Sequence, residues 1–471
     1  MEEVLKKING VVWGVPALAL IIGVGIYLTL RTRFAQFRLL PKAMRAFLSE
    51  IRLRPKDKRG TSPFRALCTA LAATVGTGNL AGVAGAIAIG GPGSIFWMWV
   101  SGFLGMVTKF AEATLAVRYR ARNSRNDYVG GTMYMIQHGM GGRWKWLAGT
   151  YAFLGVTAAF GVGNATQINT VIGSINATIE AFGGAQSRIR DLLIGLSLTV
   201  LVGVILLGGV KRIGTFAEML VPLASLLYLL LGFGVLFARC QYIPSAFISI
   251  IKGAFQPSAV TGGMVGSMIQ ALRIGTSRGV FTNEAGMGTA AIAHGSANVV
   301  HPVQQGLMGF VEVFLDTIVI CTMTALVILC SGIKIPYGTD QGIQLTVQAF
   351  CTVYGKWIYV FMSAAIACFA LATVLGWGFY GIRCAQYLFG EKSWIVFAWL
   401  QTGAVMLGAT LSTGMVWILA EIMNGLMAIP NLIVLMILSP ELQNLMREFD
   451  MMCRNEKNID IFATCAKIRE K

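Results

Sequence analysis

The sequence predicts an all-α polytopic membrane protein with about 11 transmembrane helices, most of them arranged as two five-helix repeats of opposite orientation. Three observations predict this. Of 471 residues, 55% are hydrophobic and only 13% charged, and mean hydropathy is +0.68. The apolar residues fall into runs of about 20, the length that crosses a bilayer as a helix. Two of those runs, five spans apart, carry glycine-rich interruptions, at 74–79 in the second and at 262–267 where the seventh opens. Five is an odd number, so the two groups of spans face opposite ways. Paired broken helices in inverted halves mark a transport site.

The first span, 11–30, lacks a small-residue cleavage pattern and is expected to remain as a helix. Residues 31–60 mix Arg31, Arg38, Lys42, Arg45 and Arg52 with Phe34, Phe37, Leu40 and Phe47, which suits a helix lying at lipid headgroups. Further spans are expected at 64–90, 92–117, 147–175, 190–208, 214–238, 258–277, 304–331, 357–385, 393–413 and 415–437. With 31–60 in the cytoplasm, the loops 118–146 and 209–213, the segment 278–303 and the tail fall on the same side. Most of the 38 basic residues lie there, as the positive-inside rule requires. The N-terminus is then outside a cell membrane and the C-terminus cytoplasmic. Anionic lipid, rather than nucleic acid, accounts for the net charge of +17.

The stretch Thr74-Val75-Gly76-Thr77-Gly78-Asn79 sits near mid-membrane within an apolar run. Glycine weakens a helix by up to about 1 kcal/mol relative to alanine, so the helix is expected to loosen there. Unwound backbone inside a membrane is tolerated only where it is buried or lines a cavity. It offers N–H groups to an anion and carbonyls to a cation.

Other polar residues lie within spans. Lys109 and Glu112 are three apart and suit an ion pair. Glu218 falls near a span end. Glu312 and Asp316 share a helical face, with Arg273 or Arg278 as candidate partners, or a cation or proton as ligand. Asn164, Gln167 and Asn169 bring amides into the fourth span, and Gln167 shares a face with Asn164. Thr373 and Trp377 are four apart on the ninth, where a hydroxyl could ligate sodium and an indole could wall a pocket. Nine cysteines show no CxxC spacing, and the histidines at 138, 294 and 301 are scattered. With no nucleotide loop, metal cluster or nucleophile constellation, the chain does not read as an enzyme, and no cofactor is expected.

The runs 72–83, 90–99, 108–117, 278–288 and 424–431 together resemble the alanine or glycine:cation symporter family. The resemblance spans about residues 10–440. It implies a LeuT-like fold: a peripheral helix (1–30), a basic interfacial segment (31–63), two inverted five-helix repeats (64–240 and 241–440) and a cytoplasmic tail (441–471). It implies symport of alanine or glycine with Na+, or with protons in some members. By position, Thr74, Gly76, Thr77, Gly78, Asn79, Gln167 and Trp377 would bind substrate, and Thr74 and Thr373 the cation. The sequence departs from the family pattern at Ala372, where a hydroxyl residue is usual, at Thr132, where proline is usual, and at Ile382 and Gln386, where acids are usual. Two other readings suit the same residues: a passive channel or facilitator, and a sensor that binds amino acid without moving it.

Overall fold

The computed structural model describes residues 2–53, 61–263, 267–339, 342–410 and 413–455. Helices α1 (Glu2–Val12) and α2 (Val15–Arg31) form one run interrupted at Trp13 and Gly14. Helix α3 (Ala35–Leu53) follows in the basic segment. Its Ala35, Leu39, Ala43 and Ala46 turn inward, while Phe37 and Leu48 are exposed. That is the one-sided pattern expected of a helix on a surface.

The first broken span begins where Ser62 accepts a hydrogen bond from Arg65 N (3.1 Å) and Pro63 takes the first helical position. Proline lacks only an N–H that would be unpaired there anyway. Helix α4 (Pro63–Thr74) stops at Val75, whose backbone is extended. A π-helical stretch (Gly78–Gly82) then leads into α5 (Val83–Gly90). The two halves meet at 51°. The loosening predicted at 74–79 is therefore present.

Next come α6 (Gly93–Arg118), a short hairpin (Ala121–Arg122 with Tyr128–Val129) and α7 (Thr132–Tyr134). Helix α8 (Lys145–Phe160) passes through another π-helical stretch (Gly161–Ala165) into α9 (Thr166–Ala181). Helices α10 (Arg188–Leu206) and α11 (Gly209–Ala238) follow, then α12 (Ile243–Phe255) and α13 (Pro257–Thr261).

At the seventh span the structure departs from the expected 258–277. Gly262 and Gly263, with φ of 63° and 86°, form a turn, and Ser267 caps α14 (Met268–Asn283). Residues 264–266 of the expected interruption lie outside the described ones. The chain unwinds further on, at 284–288, where Glu284, Gly286 and Gly288 have φ of 52°, 94° and 77°. Helix α15 (Thr289–His294) is the second half. Residues 279–297, expected in a cytoplasmic loop, are all buried.

The chain continues through α16 (Pro302–Val313), a π-helical stretch (Phe314–Cys321) and α17 (Thr322–Cys330). Helices α18 (Ile343–Tyr354), α19 (Ile358–Phe389), α20 (Ser393–Thr410), α21 (Thr413–Ile437) and α22 (Ser439–Asn455) complete it. Among the described residues eight helices are long and apolar enough to cross a membrane, or ten when each of two bent pairs counts as one. The seventh expected span is not among them, because α14 has 16 residues before the unwinding.

The two broken spans lie side by side and run in opposite directions. Asn298 N donates to Thr61 O (2.8 Å) at one end, and Gln270 Nε2 donates to Ile89 O (3.1 Å) at the other. Helices α6 and α16 pack on this pair from one side, and α19 joins it to α8 and α9.

Candidate functional site

The two breaks face each other inside the bundle, and the sequence-predicted residues gather at the first. Asn79 folds back so that its Oδ1 accepts from Gly76 N (2.9 Å), bracing the extended backbone. Thr77 Oγ1 donates to Gln167 Oε1 (2.8 Å), which reaches in from α9 just after its π-helical stretch. π-Helical turns inside α-helices recur at functional sites. Thr373 of α19 stands directly against Gly76: a Cβ built on Gly76 would lie 2.3 Å from Thr373 Oγ1. Gly78 faces Phe281 and Thr282 at the end of α14, with a built Cβ 3.3 Å from Thr282 Cγ2. Thr74 Oγ1 donates to Ala70 O (3.3 Å) in its own helix. Trp377 is fully buried, and its indole donates to Glu284 Oε1 (2.9 Å). Gly76, Thr77, Gly78, Asn79, Gln167 and Thr373 thus meet at the first break, while Trp377, one turn on from Thr373, reaches the second through Glu284. Asn164 turns elsewhere, donating to Gln401 O (2.7 Å).

Asp316 joins this group from the π-helical stretch after α16. Its Oδ1 accepts from Asn79 Nδ2 (2.6 Å) and its Oδ2 from Thr317 Oγ1 (2.9 Å). Asn283 Nδ2 in turn donates to Thr317 Oγ1 (3.1 Å). This chain of polar groups links the first break to the end of α14. Neither Arg273 nor Arg278 is the partner expected for the Glu312 and Asp316 face. Arg278 instead meets Glu421 at 2.9 Å.

The expected Lys109–Glu112 pair is not the ion pair that forms. Lys109 Nζ lies 3.2 Å from Glu312 Oε1, and Glu312 Oε2 lies 2.8 Å from His294 Nε2. Gln305 Nε2 meets His294 Nδ1 at 2.6 Å. All three ionisable groups are buried, and a buried charge is tolerated only with such partners. Glu112 is released to hold the second break. Its Oε1 accepts from Gly286 N (2.9 Å), Gly288 N (3.2 Å) and Asn431 Nδ2 (2.7 Å). Thr132 is placed to donate to Asn431 Oδ1 (2.9 Å) or Gly288 O (3.2 Å), contacts that a proline could not make. Glu218 is where the sequence put it, partly exposed and 2.8 Å from Arg65 Nε.

The second break and Glu284 were missed from the sequence. The run Asn283-Glu284-Ala285-Gly286-Met287-Gly288 carried the signal, a polar pair followed by alternate glycines. Two broken helices, the second with its unwound backbone held by Glu112 of α6, Thr132 of α7, Tyr151 of α8 and Asn431 of α21, suit reversible capture of a small polar solute.

Comparison with known proteins agrees. The model of the family described as the sodium:alanine symporter family matches residues 1–463. The sodium/alanine symporter AgcS of Methanococcus maripaludis is 40% identical over 461 residues, covering 96% of this chain and 98% of that protein. A Haemophilus influenzae protein described as a transporter is 42% identical over 443 residues, with 92% and 93% covered. A Bacillus subtilis relative named a probable sodium/glutamine symporter is 37% identical, with 93% and 89% covered. The fold is similar to that of MhsT, solved in complex with L-phenylalanine, at a TM-score of 0.55 over 79% of this chain and 89% of that one, with 13% identity. A multi-pass bundle with two facing breaks, matched along nearly its whole length by these relatives, is a transporter and not an enzyme, and the chain belongs to the sodium:alanine symporter family.

Proposed function

We propose that this protein imports small neutral amino acids such as alanine or glycine, together with Na+, by alternating access between the two sides of a cell membrane. The observation that carries this reading is the first break: extended backbone at Val75, glycines at 76 and 78, and the Thr77–Gln167 contact, all buried at mid-bundle. The substrate carboxylate takes the N–H groups that follow Gly76, where the positive end of the next half-helix favours an anion. Thr77, Asn79 and Gln167 surround it, and Trp377 limits the side chain. The cation binds beside Thr74 and Thr373, whose oxygens flank the break, and Asp316 supplies a negative charge one contact away through Asn79. Ala372 removes one hydroxyl from this shell, and protons are the alternative coupling ion. The antiparallel broken spans support two inverted repeats, and the crowd of arginines at 31–60 supports a cytoplasmic placement of that segment.

The energetics suffice. One Na+ crossing about 100 mV releases about 2.3 kcal/mol, and a tenfold gradient adds about 1.4 kcal/mol. Together they sustain accumulation of a neutral solute by several hundredfold. The test is uptake into proteoliposomes with the sodium gradient and pH varied separately. Alanine is expected to accumulate against its gradient only while an inward cation gradient exists. Equilibration without accumulation would make the protein a facilitator, and binding without uptake a sensor.

A further inference from the structure

Trp377 is held at both ends. On the backbone side it presses on Gly163 of the π-helical stretch, where an added Cβ would stand 2.1 Å from Trp377 Cβ. At the far end its Nε1 donates to Glu284 Oε1 (2.9 Å). The other oxygen of Glu284 accepts from Thr289 Oγ1 (2.6 Å), in the first turn of α15. Glu284 is buried and sits at φ 52°, in the left-handed region, where α14 ends. A non-glycine residue there carries a backbone cost, and a carboxylate inside a bundle must be hydrogen-bonded. Glutamate at this position is therefore chosen for what its side chain reaches.

We propose that Glu284 is a positioning residue that sets the width of the amino-acid site by fixing the indole of Trp377. This rests on the reading in which Trp377 walls that site. An indole turns about two side-chain torsions. The Gly163 contact restricts the first, and the hydrogen bond to Nε1 fixes the ring about the second. Without Glu284 the ring can swing and the wall yields to longer side chains. The acceptor comes from the unwound segment between α14 and α15, so the wall moves when that segment moves.

The test measures binding of L-alanine, L-glutamine and L-leucine to the purified full chain and takes the leucine-to-alanine affinity ratio as the readout. Glu284→Ala is expected to raise this ratio about tenfold, the scale on which apolar pockets discriminate size. Glu284→Gln keeps an acceptor oxygen and is expected to leave the ratio at its wild-type value. Trp377→Phe has no N–H to be held, so adding Glu284→Ala to it should change nothing further. An unchanged ratio in Glu284→Ala, or the same shift in the Trp377→Phe background, overturns the proposal. Glu284→Asp, whose carboxylate stops one methylene short, carries the same test if the alanine variant does not fold. Trp377→Ala reads the wall itself: an unchanged ratio there overturns the pocket assignment, whereas a shifted ratio beside an inert Glu284→Ala overturns only the role of Glu284.

Discussion

A methyl group added at Gly76 would collide with the hydroxyl of Thr373, whereas one added at Gly78 would meet Thr282 at a tight but tolerable 3.3 Å. Overpacking of this kind costs about 1–3 kcal/mol. Gly76→Ala is thus expected to weaken alanine binding more than tenfold, and Gly78→Ala much less. Thr373→Ala should partly relieve Gly76→Ala, because it removes the atom in conflict. Binding and thermal unfolding on the same purified variants check this. A Gly76→Ala protein with normal affinity would remove the first break from the substrate site. The ion pair of Lys109 with Glu312 gives a second test at this scale. Removing one partner of a buried pair leaves an uncompensated charge and costs about 3–5 kcal/mol. Lys109→Met should lower the unfolding temperature markedly, and Lys109→Met with Glu312→Gln should recover most of the loss. Equal destabilisation in both would show that the pair is not what Lys109 contributes.

Among the elements, the two broken spans differ in how they could be read. The first was legible because two glycines, two threonines and an asparagine interrupt an otherwise apolar run. The second was misplaced for a physical reason. Gly262 and Gly263 do interrupt the chain between α13 and α14, but the break that packs against the first lies at 284–288, among polar residues that lower local hydropathy and so resemble a loop. Those polar groups are buried because α6 and α21 supply partners, Glu112 and Asn431, that are 174 and 145 residues away from Gly286 along the chain. The same distance hid the Lys109–Glu312 contact, since helical spacing speaks only for neighbours one turn apart. Thr132, flagged as a departure from the family pattern, acquires a role at this scale through its contact with Asn431. Thr132→Ala should cost about 1 kcal/mol, the net worth of a typical hydrogen bond, with its effect confined to the second break. Hydrogen exchange should then rise at Gly286 and Gly288 and stay unchanged at Gly76.

For the whole molecule, the orientation proposed from the charge asymmetry is one that chemistry can test from outside the cell. Cys240 is exposed at the end of α11, and Cys453 lies on α22. An impermeant thiol reagent applied to intact cells is expected to modify a single-cysteine variant that retains Cys240 and to spare one that retains Cys453. The reverse pattern would invert the topology. Cys465 of the tail lies outside the described residues. The ties at both ends of the broken pair carry a mechanical consequence. Residues 61 and 297 are joined as neighbouring strands are, and Gln270 clasps the backbone at Ile89 on the opposite side. A pair pinned at both ends transmits force as one stiff beam, so sliding between its members is suppressed. Under the proposed alternating access, the compliance needed to open first one face and then the other lies where the beam rests on α19. A disulfide between cysteines placed at 61 and 297 should therefore leave turnover intact, whereas a staple from the beam to α19 should arrest it.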